Sequence, residues 1–116
     1  PAKNVDNIVA IVDYNKKQID GPTDDVLSLG DLRAKYESFG WKVWECNGND
    51  MQELVDTFNK IRENAHKGQS QILLAHTEMG MGVDFMMGTH KWHGVAPNDE
   101  QAANALSQLK ETLGDY

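Results

Sequence analysis

Residues 8–21 have the sequence IVAIVDYNKKQIDG. The segment opens with an apolar, largely β-branched run, which predicts a strand over residues 8–12 that is buried on both faces. A carboxylate, a phenol and an amide follow directly, at Asp13, Tyr14 and Asn15. Because open α/β sheets place their ligands at the carboxyl ends of the strands, the run and its polar tail together indicate a binding site.

Composition limits the classes of function. The chain has 116 residues and a formal net charge of −7 at pH 7, which argues against nucleic acid or an anionic membrane surface as a partner. Its apolar runs are shorter than the roughly 20 residues that cross a bilayer. The single cysteine, Cys46, is expected to be buried, excludes an internal disulfide and favours the cytoplasm. We therefore expect one globular domain over residues 1–116.

Strand and helix periodicities continue along the chain. Further strands are predicted over residues 41–46 and 71–76, where apolar residues alternate or run together. Helices are predicted where apolar residues recur at helical spacing behind a capping residue. The predicted helix caps, buried positions and ends are Ser28, Leu29, Leu32, Tyr36, Phe39 and Gly40 for the first helix; Asp50, Leu54, Phe58, Ile61, Ala65 and Gly68 for the second; and Asn98 or Asp99, Ala102, Leu106, Leu109 and Leu113 for the third.

The resulting order is β-α-β-α-β, a long loop and a final α-helix. Alternation of this kind predicts the α/β class with a parallel, doubly wound sheet whose strands are joined by right-handed crossovers. Three strands make a narrow sheet for this architecture, so the pattern predicts a partial sheet with covering helices that belongs to a larger one. Such a part would leave apolar surface exposed, and we expect an oligomer or tight association with other subunits.

Two segments hold the candidate site residues. Asn15 offers an amide oxygen that would suit a hard cation such as Mg²⁺, although asparagine is also common in simple turns. Residues 77–97 contain four glycines and no periodicity, and long loops of this kind are usually functional. In this loop, His93 is predicted to bind a ligand or handle protons, with a backbone-bonded histidine as the alternative. His90 lies nearby, but no further ligand stands at zinc-site spacing. His76, at the end of the third strand, is a further candidate.

The chain resembles the second half of the thiamine-diphosphate-binding domain of transketolases, in particular those whose N-terminal part is a separate subunit. The resemblance lies in NIVAIVDYNKKQIDG (7–21), GDLRAKYESFGW (30–41), ECNGND (45–50), ILLAHTEMGMGVDFM (72–86) and KWHGVAPNDE (91–100). The first and last segments are the most specific. The resemblance implies the thiamine-diphosphate-binding fold. It also implies part of a transferase that passes a two-carbon ketol unit between sugar phosphates, with thiamine diphosphate and Mg²⁺ as cofactors.

The resemblance further implies roles for individual residues. Asn15 matches the asparagine that ligates the magnesium ion held by the diphosphate, and Lys17 matches the residue whose backbone carbonyl is a further metal ligand. Ile19 matches an apolar side chain that lies against the thiazolium ring. His93 matches the loop histidine near the diphosphate and the donor hydroxyl groups, so it is the expected catalytic residue. Gly94 matches a residue that shapes this part of the cofactor site.

Departures from the family pattern bear on the function. The family's Gly-Asp-Gly segment and the glutamate that activates the aminopyrimidine have no counterpart here. We therefore expect the isolated chain to be inactive, and other transketolase subunits or segments to supply the Gly-Asp-Gly half and the pyrimidine domain. Met79 and Met81 stand where many relatives carry lysine, which bears on contact with phosphate. The alternatives are a non-catalytic scaffold or regulatory remnant acting through protein association, and a small-ligand domain, which would need about five strands.

Overall fold

A three-stranded parallel sheet organises residues 5–110, the part of the chain that this computed structural model describes. In chain order the elements are β1 (Val9–Tyr14), β2 (Lys17–Gln18), β3 (Gly21–Pro22), α1 (Thr23–Val26), α2 (Leu32–Ser38), β4 (Lys42–Asn47), α3 (Met51–Glu63), β5 (Gln71–His76) and α4 (Asp99–Gln108). The sheet has the strand order β1-β5-β4, and β2 and β3 form a separate short hairpin. The predicted α/β class and parallel sheet are confirmed. None of the helices in this part of the chain is long and apolar enough to cross a membrane.

The pairing of the strands determines where a site can form. Tyr14, His76 and Asn47, the last residues of β1, β5 and β4, are aligned across the sheet. The segments that leave the three strands therefore begin at one common edge. In the central strand β5, Ile72 and Leu73 have no exposed surface, as is typical of a parallel strand covered on both faces.

The two faces of the sheet are covered by different helices. Beneath α2, the side chains of Val43, Ile72 and Leu74 form one buried cluster. On the opposite face, Ile61 of α3 packs in a second cluster with Cys46, Leu73 and Ala75. The thiol of Cys46 is buried, as predicted. Full burial of one such aliphatic side chain contributes about 1.5–3 kcal/mol, so these clusters hold the helices on the sheet and keep its carboxyl edge in place.

β1 differs from its prediction in extent and in burial. It runs to Tyr14 and lies at the edge of the sheet. Ala10 and Val12 pack against the cluster beneath α2, whereas Ile11 on the other face is 59% exposed. The cluster beneath α3 involves β4 and β5 and leaves Ile11 uncovered. An apolar run shows that a strand suits burial, but it does not show whether the covering layer lies within the same residues.

α2 begins later than predicted. Its cap is Asp31, whose side chain accepts a hydrogen bond from the backbone N–H of Ala34 at 2.9 Å, and Ser28 is not the cap. Gly30 has a φ of +57°, a left-handed conformation that interrupts a helix. The hydroxyl of Ser28 instead accepts a hydrogen bond from the N–H of Gly30 at 3.2 Å. The predicted helix end is confirmed, since Gly40 follows the helix with a φ of +79°.

α3 begins as predicted and ends early. Asp50 is its cap and accepts a hydrogen bond from the backbone N–H of Glu53 at 3.0 Å. Ile61 is buried, but Phe58, predicted to be buried, is 39% exposed. The helix stops before Gly68 because His66 already takes a left-handed conformation, with a φ of +59°.

α4 also has the predicted cap and a different buried face. Asn98 starts the helix through a reciprocal capping box. Ala105 is buried, whereas Leu106 and Leu109 are 71% and 46% exposed. Leu113 lies outside the described residues. The apolar stripe of α4 therefore faces away from the part of the core that these residues form.

Candidate functional site

The carboxyl edge of the sheet and the loop over residues 77–97 form a cleft of about 420 Å³. We call it the edge cleft, and it is lined by Asp13, Asn15, Asn49, Thr77, Glu78, Met79, Trp92, His93 and Gly94. A cleft of about 470 Å³ lies at the amino edge of the sheet, next to Ile8, Trp41 and Ser70, and its lining includes no titratable side chain. The chemistry therefore favours the edge cleft as the functional site.

Asn15 follows β1 directly, and its side chain turns back onto its own backbone. The side-chain Oδ1 accepts a hydrogen bond from the backbone N–H of Lys17 at 2.9 Å, an Asx turn that shapes the chain after the strand. Lys16, between them, has a φ of +57°. An amide oxygen has two lone pairs, so this contact leaves one acceptor position for a ligand. The geometry is compatible with both interpretations of Asn15, the turn residue and the oxygen ligand.

The β2–β3 hairpin carries two of the predicted site residues beside the edge cleft rather than into it. Lys17 pairs with Pro22, and Ile19 is at the turn of the hairpin with 71% of its surface exposed. Neither Lys17 nor Ile19 is among the residues that line the cleft. The structure thus brings Asn15, His93 and Gly94 together and leaves Lys17 and Ile19 outside the lining. Their roles toward a cofactor stay predictions.

The long loop that carries His93 has an ordered set of internal contacts. The indole N–H of Trp92 donates a hydrogen bond to the backbone carbonyl of Phe85 at 3.0 Å, and the two rings pack edge to face with centroids 5.3 Å apart. The backbone N–H of His93 donates to the carbonyl of His90 at 3.0 Å. These contacts place the exposed His93 at the wall of the edge cleft.

Carboxylates set the charge of the edge cleft. Asp13 and Glu78 line it, and no lysine or arginine is among its lining residues. Asp13 accepts a hydrogen bond from the hydroxyl of Thr77. Two carboxylates beside the amide oxygen of Asn15 favour a cation. An anionic ligand would therefore fit this cleft best together with a metal ion.

The donor set suits a metal ion that takes few ligands from protein. Within residues 5–110, no group of three or more His, Cys, Asp or Glu side chains could hold a metal ion. Mg²⁺ commonly takes one or two protein oxygens and completes its shell with water and phosphate oxygens. The free acceptor position of Asn15 fits that mode of binding.

Asn49, Thr77 and Glu78 line the edge cleft although no motif predicts them. Each follows a predicted strand, so the rule that parallel strands end at one edge was the available signal. The side-chain Oδ1 of Asn49 accepts a hydrogen bond from the backbone N–H of Glu78 at 2.6 Å, which joins the segments after β4 and β5. Gly48 permits this approach, because a Cβ there would lie 2.5 Å from Cγ2 of Thr77 and 3.0 Å from Cβ of Ala75.

His76 belongs to a separate network between α2 and the sheet. Its Nε2 lies 2.8 Å from Oε2 of Glu45, and Nε of Arg33 donates to Oε1 of Glu45 at 2.6 Å. The ring of Tyr14 packs against His76 with centroids 5.2 Å apart. The hydrogen bonds from His76 and Arg33 hold the pKa of the Glu45 carboxyl below its usual range, while burial acts in the opposite direction. His76 is not among the residues that line the edge cleft.

This network predicts a pH dependence of stability. Because the pKa of Glu45 is lower in the folded chain than in the unfolded chain, the carboxylate stabilises the fold above the usual glutamate pKa. That contribution is lost as the pH falls through the lowered value. We therefore expect the melting temperature of the wild type to fall more than that of Glu45→Gln between about pH 6 and about pH 3.

Thermal melts of both proteins across that pH range check this prediction. Glu63→Gln is the control, since Glu63 is an exposed glutamate at the end of α3. An equal fall for the wild type and Glu45→Gln would contradict the prediction.

Comparison with known proteins identifies the family. Residues 2–114 match the family model described as transketolase, thiamine diphosphate binding domain. One of the two apulose-4-phosphate transketolase subunits that match, from Phocaeicola vulgatus, is 39% identical over 109 residues, which cover 94% of this chain and 38% of that protein. The other, from Actinobacillus succinogenes, is 38% identical over 107 residues, covering 92% of this chain and 38% of that protein. The chain thus spans well under half the length of these curated relatives.

A solved transketolase shows the same fold. The crystal structure of the enzyme from Campylobacter jejuni matches with a TM-score of 0.81 at 23% identity, over 92% of this chain and 16% of that chain. This match confirms the predicted fold, and the family model confirms the resemblance seen in the sequence. The chain therefore belongs to the transketolase family, in its thiamine-diphosphate-binding domain.

Proposed function

We propose that this chain is part of a transketolase-like transferase that passes a two-carbon ketol unit between sugar phosphates, using thiamine diphosphate and Mg²⁺. The observation that carries the proposal is that Asn15, His93 and Gly94, which lie far apart in the sequence, line one cleft at the carboxyl edge of the sheet. The position of that cleft suits a cofactor site in an open α/β sheet. In this proposal residues 1–116 act as one domain unit that works only within a complex.

Each predicted site residue has a place in this proposal. Asn15 would hold the metal ion through its free acceptor position, and the backbone carbonyl of Lys17 would be a second ligand. Ile19 would lie against the thiazolium ring from the hairpin, and Gly94 would leave space beside the diphosphate. His93 would hydrogen-bond the diphosphate and the donor hydroxyl groups, since an imidazole both donates and accepts. When bound, thiamine diphosphate would supply the carbanion chemistry of ketol transfer.

The substrate class follows from the relatives and from the charge of the cleft. Two relatives are named as apulose-4-phosphate transketolase subunits, which supports a sugar phosphate as substrate here. The edge cleft offers no lysine or arginine, and Met79 lines it. The terminal phosphate of a substrate would therefore be bound by residues outside this lining, and we place them on a partner subunit.

The free edge of the sheet indicates where a partner segment would pack. Within the described residues, β1 pairs with β5 alone. Its side chains Val9 and Ile11 are 42% and 59% exposed. An unpaired strand edge beside exposed apolar side chains is a template for association with another segment. We propose that another subunit, or another segment of the full-length chain, covers this edge and completes the cofactor site.

Ile11→Lys tests this assignment in the full-length assembly. A charge placed in an apolar contact would lose its hydration, so we expect the affinity between the parts to fall by about tenfold or more. Leu106→Lys is the matched control, because Leu106 is 71% exposed on α4. Sedimentation velocity over a concentration series measures the association. Equal behaviour of the two variants would contradict a contact at β1.

The direct test of the proposed function is the transfer of a ketol group by the full-length chain with its partner subunits. We expect activity with sugar-phosphate donors that requires added thiamine diphosphate and Mg²⁺. We expect His93→Ala to lower kcat/KM by about 100-fold or more, in the range found for groups that handle protons. Absence of cofactor binding in every assembly would instead favour a non-catalytic scaffold.

A further inference from the structure

We propose that Glu78 is a positioning residue for His93. It closes residues 78–88 into a ring, and Asn49 fixes that ring to the sheet, so that the segment carrying His93 is held against the edge cleft. The role of His93 toward a cofactor rests on the proposed function above. The closure by Glu78 rests on contacts within the described residues alone.

Glu78 connects three parts of the structure. Its backbone N–H donates a hydrogen bond to Oδ1 of Asn49 at 2.6 Å, which ties it to the segment after β4. Its side-chain Oε1 accepts a hydrogen bond from the backbone N–H of Gly88 at 2.7 Å. Its backbone carbonyl accepts from the N–H of Met81 at 3.3 Å. A hydrogen bond to a charged group is stronger than one between neutral groups, so the carboxylate is the strongest of these contacts.

The ring is closely packed at Gly80. A Cβ on Gly80 would lie 2.5 Å from Cβ of Met86 and 3.0 Å from its carbonyl carbon. Residues early and late in the ring therefore approach each other at backbone distance. This packing and the Glu78–Gly88 hydrogen bond support one conformation of the ring.

The ring in turn holds the segment that carries His93. Phe85 lies within the ring, and its carbonyl accepts the indole N–H of Trp92 at 3.0 Å. Trp92 directly precedes His93, and both line the edge cleft. Opening the ring would move Phe85, and with it the support of Trp92 and His93. Glu78 thus acts on the cleft through the loop, in addition to lining it.

The test separates the geometry of Glu78 from its charge. Glu78→Gln keeps an oxygen that accepts from Gly88 and removes the charge, whereas Glu78→Ala removes the acceptor. Amide hydrogen exchange of residues 84–94 is measured in the full-length chain, together with calorimetric titration of thiamine diphosphate and Mg²⁺ into its assembly. Glu63→Ala is the control, at an exposed glutamate on α3. Asn49→Ala is a second variant that releases the ring from the sheet.

We expect Glu78→Ala to raise the exchange rate over residues 84–94 by about tenfold or more, in line with the loss of a charged hydrogen bond. We expect it to weaken cofactor binding by a similar factor. Glu78→Gln is expected to restore most of both properties, and Glu63→Ala to change neither. If Glu78→Ala does not fold, the same rise in exchange is expected for Asn49→Ala.

Unchanged exchange in the variants that fold would overturn the proposal. So would raised exchange with unchanged cofactor affinity, because Glu78 would then hold the loop without positioning the site. If the wild type binds no thiamine diphosphate, the proposed function fails. The exchange of residues 84–94 then decides by itself whether Glu78 closes the ring.

Discussion

Asn15→Ala is expected to abolish measurable binding of thiamine diphosphate with Mg²⁺ to the assembled protein. The substitution removes the amide oxygen that would coordinate the metal ion and also the acceptor for the Lys17 N–H, 2.9 Å away. Mutation of residues one shell beyond a metal already costs about 10–100-fold in affinity, so loss of a ligand should cost at least about 100-fold. Isothermal titration of the cofactor in the presence of Mg²⁺ measures the effect.

Asn15→Asp is the matched variant for this experiment. A carboxylate oxygen can accept from Lys17 and ligate Mg²⁺ as the amide does, so we expect cofactor binding to be largely retained. Circular dichroism melts of both variants show whether the fold is intact. Binding to Asn15→Ala with the affinity of the wild type would show that the residue only shapes the turn.

The fold could be predicted from the sequence to the extent that short-range patterns determine it. The caps of α3 and α4, Asp50 and Asn98, were predictable because a capping side chain bonds to backbone groups only a few residues away. The alternation of strands and helices likewise predicted the parallel sheet. Gly30 interrupted the predicted start of α2 because its left-handed conformation is decided by the turn before the helix, which the helical spacing does not reveal.

Burial was harder to predict than element type. Ile11 and Leu106 lie in apolar patterns that predict a buried face, yet they are 59% and 71% exposed. A side chain's burial depends on a second layer that packs against it, and periodicity describes only one layer. In both places the apolar pattern is preserved where the described residues offer no cover, which agrees with packing against a further segment.

The candidate site was predictable where a family motif or a strand end marks it. Asn15 and His93 were predicted from separate segments, and the sheet topology explains why they meet. Asn49 and Glu78 were not predicted, because their contribution depends on the pairing of β4 with β5 and on the course of the loop. Contacts between loops are set by tertiary structure, and no local pattern records them.

Gly80→Ala is expected to destabilise the protein more than Gly88→Ala, although both glycines take nearly the same conformation. Their φ angles are +71° and +72°, so alanine at either position meets the left-handed penalty of about 1–2 kcal/mol. At Gly88 no heavy atom lies within 4 Å of the added Cβ, whereas at Gly80 it would lie 2.5 Å from Cβ of Met86. Overpacking of this kind adds about 1–3 kcal/mol.

The free energy of unfolding from urea titrations measures the difference between the two variants. We expect a loss of about 1–2 kcal/mol for Gly88→Ala and about 3 kcal/mol or more for Gly80→Ala. Because the overlap involves the backbone of Met86, side-chain rotation cannot relieve it, and the loop that carries His93 must shift. Gly80→Ala should therefore also weaken cofactor binding, while Gly88→Ala should leave it nearly unchanged. Equal losses of stability would mean that the two strands of the loop do not approach each other at Gly80.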